Sequence, residues 1–187
     1  DSLPAPKHPY GFSKLKAEDG LKELARATGL EVVIIRPPLI YGPGVKGNFL
    51  SLIRLVSSNC PIPLAALHNR RSMVALDNLI DFIFICMTNP RASNQVFLVS
   101  DDHDLTLPEL VKCIANSMNK NIFLFSVSSN VLSLVFALLG KKSLFKKLFS
   151  PLQVDISKTK ALLGWEPPLT VEQRVSRCVK NIDAVKN

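Results

Sequence analysis

The first thirty-six residues change from an amphipathic pattern to a run of consecutive branched apolar residues. The roughly helical spacing of apolar residues between Tyr10 and Thr28, followed by Gly29, predicts an α-helix that ends at that glycine. The next segment, 31–36, is mostly β-branched, which is typical of a strand buried on both faces of a parallel sheet. A helix followed by such a strand indicates an α/β fold.

The same reasoning predicts the elements of the remaining chain. Strands are expected at 72–76 and 95–100, and a proline-containing loop or edge strand at 60–64. Asp77 is the expected N-cap of the helix that follows the first of these strands, and Thr106-x-x-Glu109 predicts a capping box. Helices are expected at 48–57, 78–87, 106–118, 130–139, 143–149, 157–163 and 170–185.

Composition and charge narrow the classes of function. The 187 residues are 47% hydrophobic and carry a net charge of +8, which favours one folded unit with an anionic ligand. The basic residues are spread along the chain without interleaved aromatic residues, so we expect no nucleic-acid partner, whereas a nucleotide diphosphate suits the charge. The four cysteines and three histidines lack metal-ligand spacing. We therefore expect no metal, and reduced thiols in a cytoplasmic protein.

Tyr10 and Lys14 are the first candidates for chemistry. Positions i and i+4 lie on one face of a helix, so the phenol and the ammonium can converge on one reacting group. A nearby ammonium favours phenolate and lowers the pKa of a tyrosine from about 10 towards the working range of a general base. The pair is equally compatible with an exposed helix surface, so the surrounding sequence decides.

Three segments in fixed order supply that context. They are Pro9-Tyr10-Gly11-x-Ser13-Lys14-x-x-Ala17-Glu18, then Arg36-Pro37-Pro38-Leu39-Ile40-Tyr41-Gly42-Pro43-Gly44, and near the end Asp155-x-Ser157-Lys158-x-x-x-x-Leu163-Gly164-Trp165-x-Pro167. With them the chain resembles the extended short-chain dehydrogenase/reductase family, in its UDP-glucose 4-epimerase-like branch of NAD-dependent nucleotide-sugar epimerases, dehydratases and reductases. Trp165 is expected to anchor the last helix.

The resemblance implies an α/β fold that combines the C-terminal part of an incomplete Rossmann-type parallel sheet with a small mixed α/β substrate-binding lobe. It assigns 1–45 to the remnant of the NAD-binding domain, and 46–187 to the substrate lobe with some returning Rossmann elements. The turn Gly-x-x-Gly-x-x-Gly, which lets backbone amides approach a pyrophosphate, does not occur in the chain. We therefore expect the C-terminal half of an enzyme of roughly 300 residues, inactive as an isolated chain.

The resemblance also implies roles for the residues of the cofactor site. Tyr10 becomes the base, and Lys14 its pKa tuner and a ligand of the nicotinamide ribose. Pro37, Pro38 and Leu39 would touch the nicotinamide carboxamide, with a rigid strand exit as the alternative. The implied cofactor is NAD, with NADP possible.

A second set of residues is implied to bind the substrate, a nucleotide-diphosphate sugar. Asn48 and Phe49 open a helix whose free amides suit the diphosphate, although Asn48 could simply be an N-cap. Arg71, or Arg70 beside it, could form a charge-assisted fork on a phosphate, although Ser72 replaces the family's usual Asp; a solvated surface pair is the alternative. Asp155 could reach the nucleotide ribose or cap the following helix.

The resemblance favours a 4-epimerase acting at the sugar C4, with a 4-keto reductase or a 4,6-dehydratase as the alternative within the family. A homodimer is expected for the longer enzyme. An alternative of another class is a non-catalytic or membrane-surface domain, because the apolar stretch 130–139 is followed by Lys141, Lys142, Lys146 and Lys147. Packing of that stretch on the substrate lobe is the more common arrangement, so we expect no membrane contact.

Overall fold

The computed structural model describes residues 6, 9–45, 47–138, 140 and 151–185, without the side chains of residues 129 and 181–185. Helix α1 spans Pro9–Thr28 and ends at Gly29, whose φ of 73° lies in the left-handed region that glycine adopts without strain. Strand β1, Ile34–Arg36, pairs in parallel with β5, Val96–Leu98. The helix, the strand and the glycine stop are thus confirmed.

The environment of these two elements differs from the prediction. Strand β1 is half-buried rather than buried on both faces, and α1 has no buried residue. Within the described part of the chain β1 pairs with β5 alone, so it lacks the second neighbour that a central strand has. Apolar side chains of α1 remain exposed for the same reason, among them Phe12, Leu21 and Leu24.

Two further strand pairs extend the structure. Strand β2, Leu39–Tyr41, runs parallel to β4, Met73–Ala75, with Tyr41 opposite Ala75. Strand β3, Arg70–Arg71, is antiparallel to β6, Leu105–Thr106. The segment expected as a loop or edge strand at 60–64 makes one parallel bridge, between Ile62 and Leu124. The parallel pairs and the short antiparallel pair give the mixed α/β architecture that the sequence predicts.

The helices follow the predicted spans closely. They are α2 (Asn48–Ser57), α3 (Leu76–Thr88), α4 (Leu107–Ser117), α5 (Ser129–Leu138), α6 (Ser157–Leu163) and α7 (Val171–Val185), with a 3-10 turn at Pro90–Ala92. The capping box at Thr106 and Glu109 is confirmed. Asp77 as an N-cap is wrong: Ala75 occupies that position, and Asp77 lies in the first turn, where its carboxylate pairs with Arg174 instead. The helix expected at 143–149 lies outside the described residues.

Two apolar clusters form the interior of the described part of the chain. One lies between α2, α4 and α7 and includes Tyr41, Phe49 and Val111. The other joins α3, β5 and α6, and in it the Trp165 ring lies 4.8 Å from the Phe82 ring centroid. The indole N–H of Trp165 donates to Asp81 Oδ2 at 2.7 Å, which satisfies its buried polar atom. Trp165 is thus a buried anchor, as expected, but it packs against α3; the buried residues of the last helix, α7, belong to the other cluster.

Candidate active site

Tyr10 and Lys14 project from one exposed face of α1. The Lys14 Nζ lies over the Tyr10 ring, 5.5 Å from its centroid, and Ser13 Oγ donates to the Tyr10 carbonyl at 2.8 Å. The Tyr10 side chain is 74% exposed, so its hydroxyl is open to a ligand. The structure therefore brings the two candidates together, as the i, i+4 spacing predicts.

An ion pair fixes the orientation of that face. Glu18 follows Lys14 by four residues, so Tyr10, Lys14 and Glu18 share one side of α1. Arg36, the last residue of β1, donates from Nε to Glu18 Oε1 at 3.0 Å and from Nη2 to Oε2 at 2.5 Å. The bidentate hydrogen bond from Arg36 holds the pKa of Glu18 below its ordinary value and raises that of Arg36. Helix α1 is thereby tied to the carboxyl end of β1.

The proline segment leaves β1 at this point. Pro37 follows Arg36 directly, and Pro37 and Pro38 separate β1 from β2. Pro37 and Leu39 are exposed and Pro38 is half-buried. Because proline fixes φ, the backbone is rigid where it passes the end of the strand to which α1 is tied. Glu18 and Arg36 belong to the sequence motifs, but the sequence analysis assigned them no role. The available signal was that Glu18 lies eight residues after Tyr10, on the same face of the helix.

The start of α2 is the next candidate element. Gly47 occupies the N-cap position with φ of 70°, and Asn48 is the exposed first residue of the helix. The alternative role of Asn48 as N-cap is therefore not the one observed. Phe49 is only 1% exposed, and its ring stacks on Tyr41 with centroids 5.2 Å apart. Its side chain belongs to the core, which leaves its backbone N–H, in the first turn of the helix, for an anion.

Arg70 and Arg71 occupy adjacent positions of β3, so their side chains leave opposite faces of the strand. Arg70 Nη1 donates to the Asp104 carbonyl at 3.0 Å, and its Nη2 lies 3.8 Å from Glu109 Oε1. Arg71 is half-buried, and burial lowers the pKa of its guanidinium. Arg70 thus contacts the start of α4, whereas the side chain of Arg71 extends from the opposite face of β3.

Ser72, which replaces the family's usual Asp, has a structural role. Its hydroxyl donates to Asp104 Oδ1 at 2.5 Å and accepts the backbone N–H of Val154 at 2.8 Å. The residue is buried, so a carboxylate here would face the carboxylate of Asp104 without the solvent that normally screens such a pair. The serine therefore suits a site that already contains an acidic side chain.

Asp155 lies one residue before Ile156, the N-cap of α6, and its carboxylate caps the first residue of the helix, Ser157. Its Oδ1 accepts the backbone N–H of Ser157 at 2.8 Å and the Ser157 hydroxyl at 2.5 Å. These hydrogen bonds hold the pKa of Asp155 below its ordinary value. Of the two roles that the sequence leaves open, the cap is the one made by contacts in the structure.

A buried polar network lies behind the proline segment, and sequence reasoning missed it. Asp101, which follows β5, accepts hydrogen bonds from the Tyr41 hydroxyl at 2.6 Å and from Asn78 Nδ2 at 2.7 Å. Arg174 of α7 donates to Asn78 Oδ1 at 2.7 Å. The available signal was a polar residue directly after a buried strand, where functional side chains of α/β proteins collect.

The groups present suit one end of a dinucleotide. Tyr10, Lys14 and the exposed residues of the proline segment lie on connected elements that could contact a nicotinamide ribose and carboxamide. The spacing Gly-x-x-Gly-x-x-Gly, which would bind the pyrophosphate, does not occur in this sequence. Among the described residues, no cluster of histidine, cysteine and acidic side chains has the composition of a metal site.

Together, a parallel strand pair, a tyrosine–lysine helix and a proline segment at the strand's carboxyl end define an α/β protein of the short-chain dehydrogenase/reductase class. Comparison with known sequences makes this specific: the chain belongs to the NAD dependent epimerase/dehydratase family, whose sequence pattern matches residues 1–100. The family is NAD-dependent.

The chain is similar to characterised epimerases. It is 46% identical over 170 residues to the UDP-glucose 4-epimerase of Vibrio cholerae, covering 90% of this chain and 52% of the relative. It is 27% identical to the N-acetyl-alpha-D-glucosaminyl-diphospho-ditrans,octacis-undecaprenol 4-epimerase of Escherichia coli O157:H7, covering 94% of this chain and 57% of that protein. The chain thus spans about half the length of the curated relatives it matches.

Solved structures show the same fold. The UDP-glucuronic acid 4-epimerase from Bacillus cereus in complex with NAD superposes with a TM-score of 0.76 at 17% identity, covering all of this chain and 56% of that one. At this identity the likeness shows the fold alone. It confirms the expected α/β class and its Rossmann-type character.

Proposed function

We propose that the chain is the C-terminal half of an NAD-dependent nucleotide-diphosphate-sugar 4-epimerase. The observation that carries the proposal is the Tyr10–Lys14 face of α1, which the Glu18–Arg36 pair holds against the end of β1. The 46% identity to a UDP-glucose 4-epimerase supports epimerisation over reduction or dehydration, which are the alternatives within the family.

In this proposal Tyr10 acts as the general base. Its phenolate takes the proton of the sugar C4 hydroxyl and returns a proton to the same oxygen after the keto sugar has presented its other face. Lys14 holds the phenolate and the nicotinamide ribose. NAD, when bound, supplies the reversible hydride acceptor that this exchange requires. Pro37, Pro38 and Leu39 form a rigid support against the carboxamide.

The substrate diphosphate is assigned to the opening of α2 and to β3. Asn48 is exposed at the first position of the ten-residue helix, where the free backbone amides and the helix dipole favour an anion. Arg71 is the arginine that the resemblance assigns to a phosphate, and it extends from the face of β3 opposite to Arg70, whose guanidinium contacts Asp104 and Glu109. Asp155 can serve the nucleotide ribose only with an oxygen that its contact to Ser157 leaves available.

Exposed apolar side chains on α1 and α3 support a longer nucleotide-binding domain. Phe12 and Leu24 of α1, and Ile83 and Phe84 of α3, are all at least 40% exposed. Further strands and helices packed on β1 would cover them. In this arrangement residues 1–45 and the returning strand β5 complete the cofactor domain, the remainder forms the substrate lobe, and the longer enzyme is a cytoplasmic homodimer.

The proposal is tested in the longer protein by replacing Tyr10 with Phe. Removal of the hydroxyl should lower turnover about a hundredfold or more, the usual scale for loss of a general base, and leave nucleotide-sugar binding intact. Lys14→Met should lower turnover and weaken NAD binding. Lys16→Met, an exposed lysine on the same helix, is the matched control and should change neither. Wild-type turnover in the Tyr10→Phe variant would refute the assignment.

A second candidate function is contact with an anionic membrane surface through α5. Leu132 of this helix is buried, while Val131, Leu134, Val135 and Leu138 form an exposed apolar stripe with i, i+3, i+4, i+7 spacing. Four lysines follow within residues 141–147 of the sequence. The name of a relative at 27% identity includes a lipid-linked sugar, which supports a location at a membrane surface. Among the described residues, no helix is both long enough and apolar enough to cross a bilayer.

A further inference from the structure

A buried carboxylate joins three segments behind the candidate site. Asp101 is 8% exposed and follows β5. Its two oxygens accept the Tyr41 hydroxyl at 2.6 Å, the backbone N–H of Ala75 at 2.9 and 3.2 Å, and Asn78 Nδ2 at 2.7 Å. Tyr41 and Ala75 are opposite residues at the carboxyl ends of β2 and β4. Asp101 therefore clamps the end of this strand pair.

Tyr41 extends the clamp to the substrate helix. Its hydroxyl remains a neutral donor, because burial and the Asp101 carboxylate hold the pKa of Tyr41 well above its ordinary value. Its ring stacks on Phe49 at an interplanar angle of 23°. Phe49 directly follows Asn48, so the hydrogen bond from Tyr41 to Asp101 fixes the ring against which the first turn of α2 rests.

The connection between β2 and α2 cannot fix this helix by itself. Gly44 and Gly47 have φ of 76° and 70°, in the region where glycine is the least constrained residue. Gly42 lies against α3, since a Cβ at this position would be 2.8 Å from Leu76 Cβ. A glycine-rich connection carries little stiffness of its own, so side-chain contacts at its two ends must determine where α2 begins.

Asn78 connects Asp101 to an ion pair between α3 and α7. The Oδ1 atom of Asn78 accepts a hydrogen bond from Arg174. Arg174 is 4% exposed and pairs with Asp77. Arg177 also lies near Asp77, at 3.4 Å. Asp77 of α3 thus pairs with two guanidiniums of α7, and Asn78 connects one of them to Asp101. A buried carboxylate is costly unless its hydrogen bonds are all made. The hydrogen bonds that Asp101 accepts from Tyr41, Ala75 and Asn78 therefore favour a fixed position for this side chain.

We propose that Asp101 is a positioning residue for the nucleoside diphosphate: through Tyr41 and Phe49 it sets the first turn of α2, and hence Asn48 and its neighbouring amides, for the anion. The inference rests on the proposed function, because it assumes the diphosphate site at α2. In this proposal Asp101 touches neither substrate nor cofactor and acts through the side chain of Tyr41.

The test uses the 187-residue chain and UDP as the probe, with titration calorimetry and amide hydrogen exchange. Tyr41→Phe removes the hydroxyl but keeps the stacked ring, and Asp101→Asn removes the carboxylate. Each should raise the UDP dissociation constant about tenfold, and the double variant should do no more, because both remove one interaction. Amides 48–51 should exchange faster, while those of α4 do not. Asp102→Asn, at the exposed neighbour that pairs with Lys160, is the control and should change neither quantity.

The Arg71→Ala variant tests the diphosphate site independently of the role of Asp101. A rise of ten- to a hundredfold in the UDP dissociation constant for this variant, with no change in Arg70→Ala, supports the diphosphate site itself. If Arg71→Ala weakens UDP but Tyr41→Phe lowers only the melting temperature, Asp101 is merely structural and the inference is overturned. If the wild-type chain does not bind UDP, the proposed substrate site and this inference both fall.

Discussion

At the scale of single residues, one ion pair decides which way the Tyr10–Lys14 face of α1 points. Helix α1 buries none of its side chains, so its apolar pattern contributes little to its placement in this structure. The bidentate pair between Glu18 and Arg36 is part-buried and links positions eighteen residues apart. Its geometry is of the kind for which surface pairs do contribute measurable stability. The orientation of Tyr10 and Lys14 therefore depends on a residue that performs no chemistry.

Replacing Glu18 with Gln should release α1 from the end of β1. We expect faster amide exchange along α1 and a loss of about 1 kcal/mol in the free energy of its local opening at pH 7. Asp19→Asn is the control, because Asp19 is exposed and makes only a 3.7 Å pair with Lys22 on the same helix. Equal exchange in the Glu18→Gln variant and the wild type would show that other contacts place the helix.

The same pair predicts a pH dependence with a definite sign. The pKa of Glu18 in the folded chain lies below its ordinary value of 4.5, so its contribution is fully present above that value. The contribution is lost as the pH falls through the lowered pKa. The exchange rates of the wild type and the Glu18→Gln variant should therefore differ at neutral pH and converge in acid.

At the scale of elements, helix α5 combines two environments. Leu132 anchors it in the interior, whereas Leu134 and Leu138 are 61% and 80% exposed. An apolar stripe of this kind can pack on another chain or enter the headgroup region of a bilayer. The net charge of +8 favours an anionic surface.

Vesicle binding distinguishes these outcomes. If α5 contacts membranes, the chain should co-sediment with vesicles rich in phosphatidylglycerol and not with phosphatidylcholine vesicles, and salt should weaken the binding. Leu134→Glu should reduce the bound fraction several-fold, while Ile83→Glu, at an exposed apolar residue of α3, should not. An absence of co-sedimentation would remove the membrane candidate and leave the catalytic proposal unaffected.

At the scale of the whole molecule, the two ligand sites differ in completeness. The groups proposed to bind a nucleoside diphosphate all lie within this chain. Those proposed to bind NAD supply only its nicotinamide end, because the spacing Gly-x-x-Gly-x-x-Gly does not occur in the sequence. The chain should therefore bind UDP but bind NAD at best weakly, and turn over no sugar nucleotide. Micromolar NAD affinity in titration calorimetry would contradict this.

The sequence by itself determined the elements and their order. Local signals were sufficient for α1 with its stop at Gly29, for the capping box at Thr106, and for the span of α2, because backbone propensity and capping depend on neighbours in sequence. The i, i+4 spacing likewise placed Tyr10 and Lys14 on one face. The prediction of Asp77 as an N-cap was wrong because its carboxylate pairs with Arg174, a residue distant in sequence. No local pattern reveals such a partner.

Only the tertiary structure decided which residues support the candidate site. Glu18 meets Arg36, and Asp101 meets Tyr41, across eighteen and sixty positions of sequence. The burial of Phe49, which moves its side chain from the proposed ligand surface into the core, also depends on how α2 packs. Long-range pairing, burial and charge compensation are properties of the packed chain, and a periodic pattern along the sequence carries no information about which distant partner a side chain will meet.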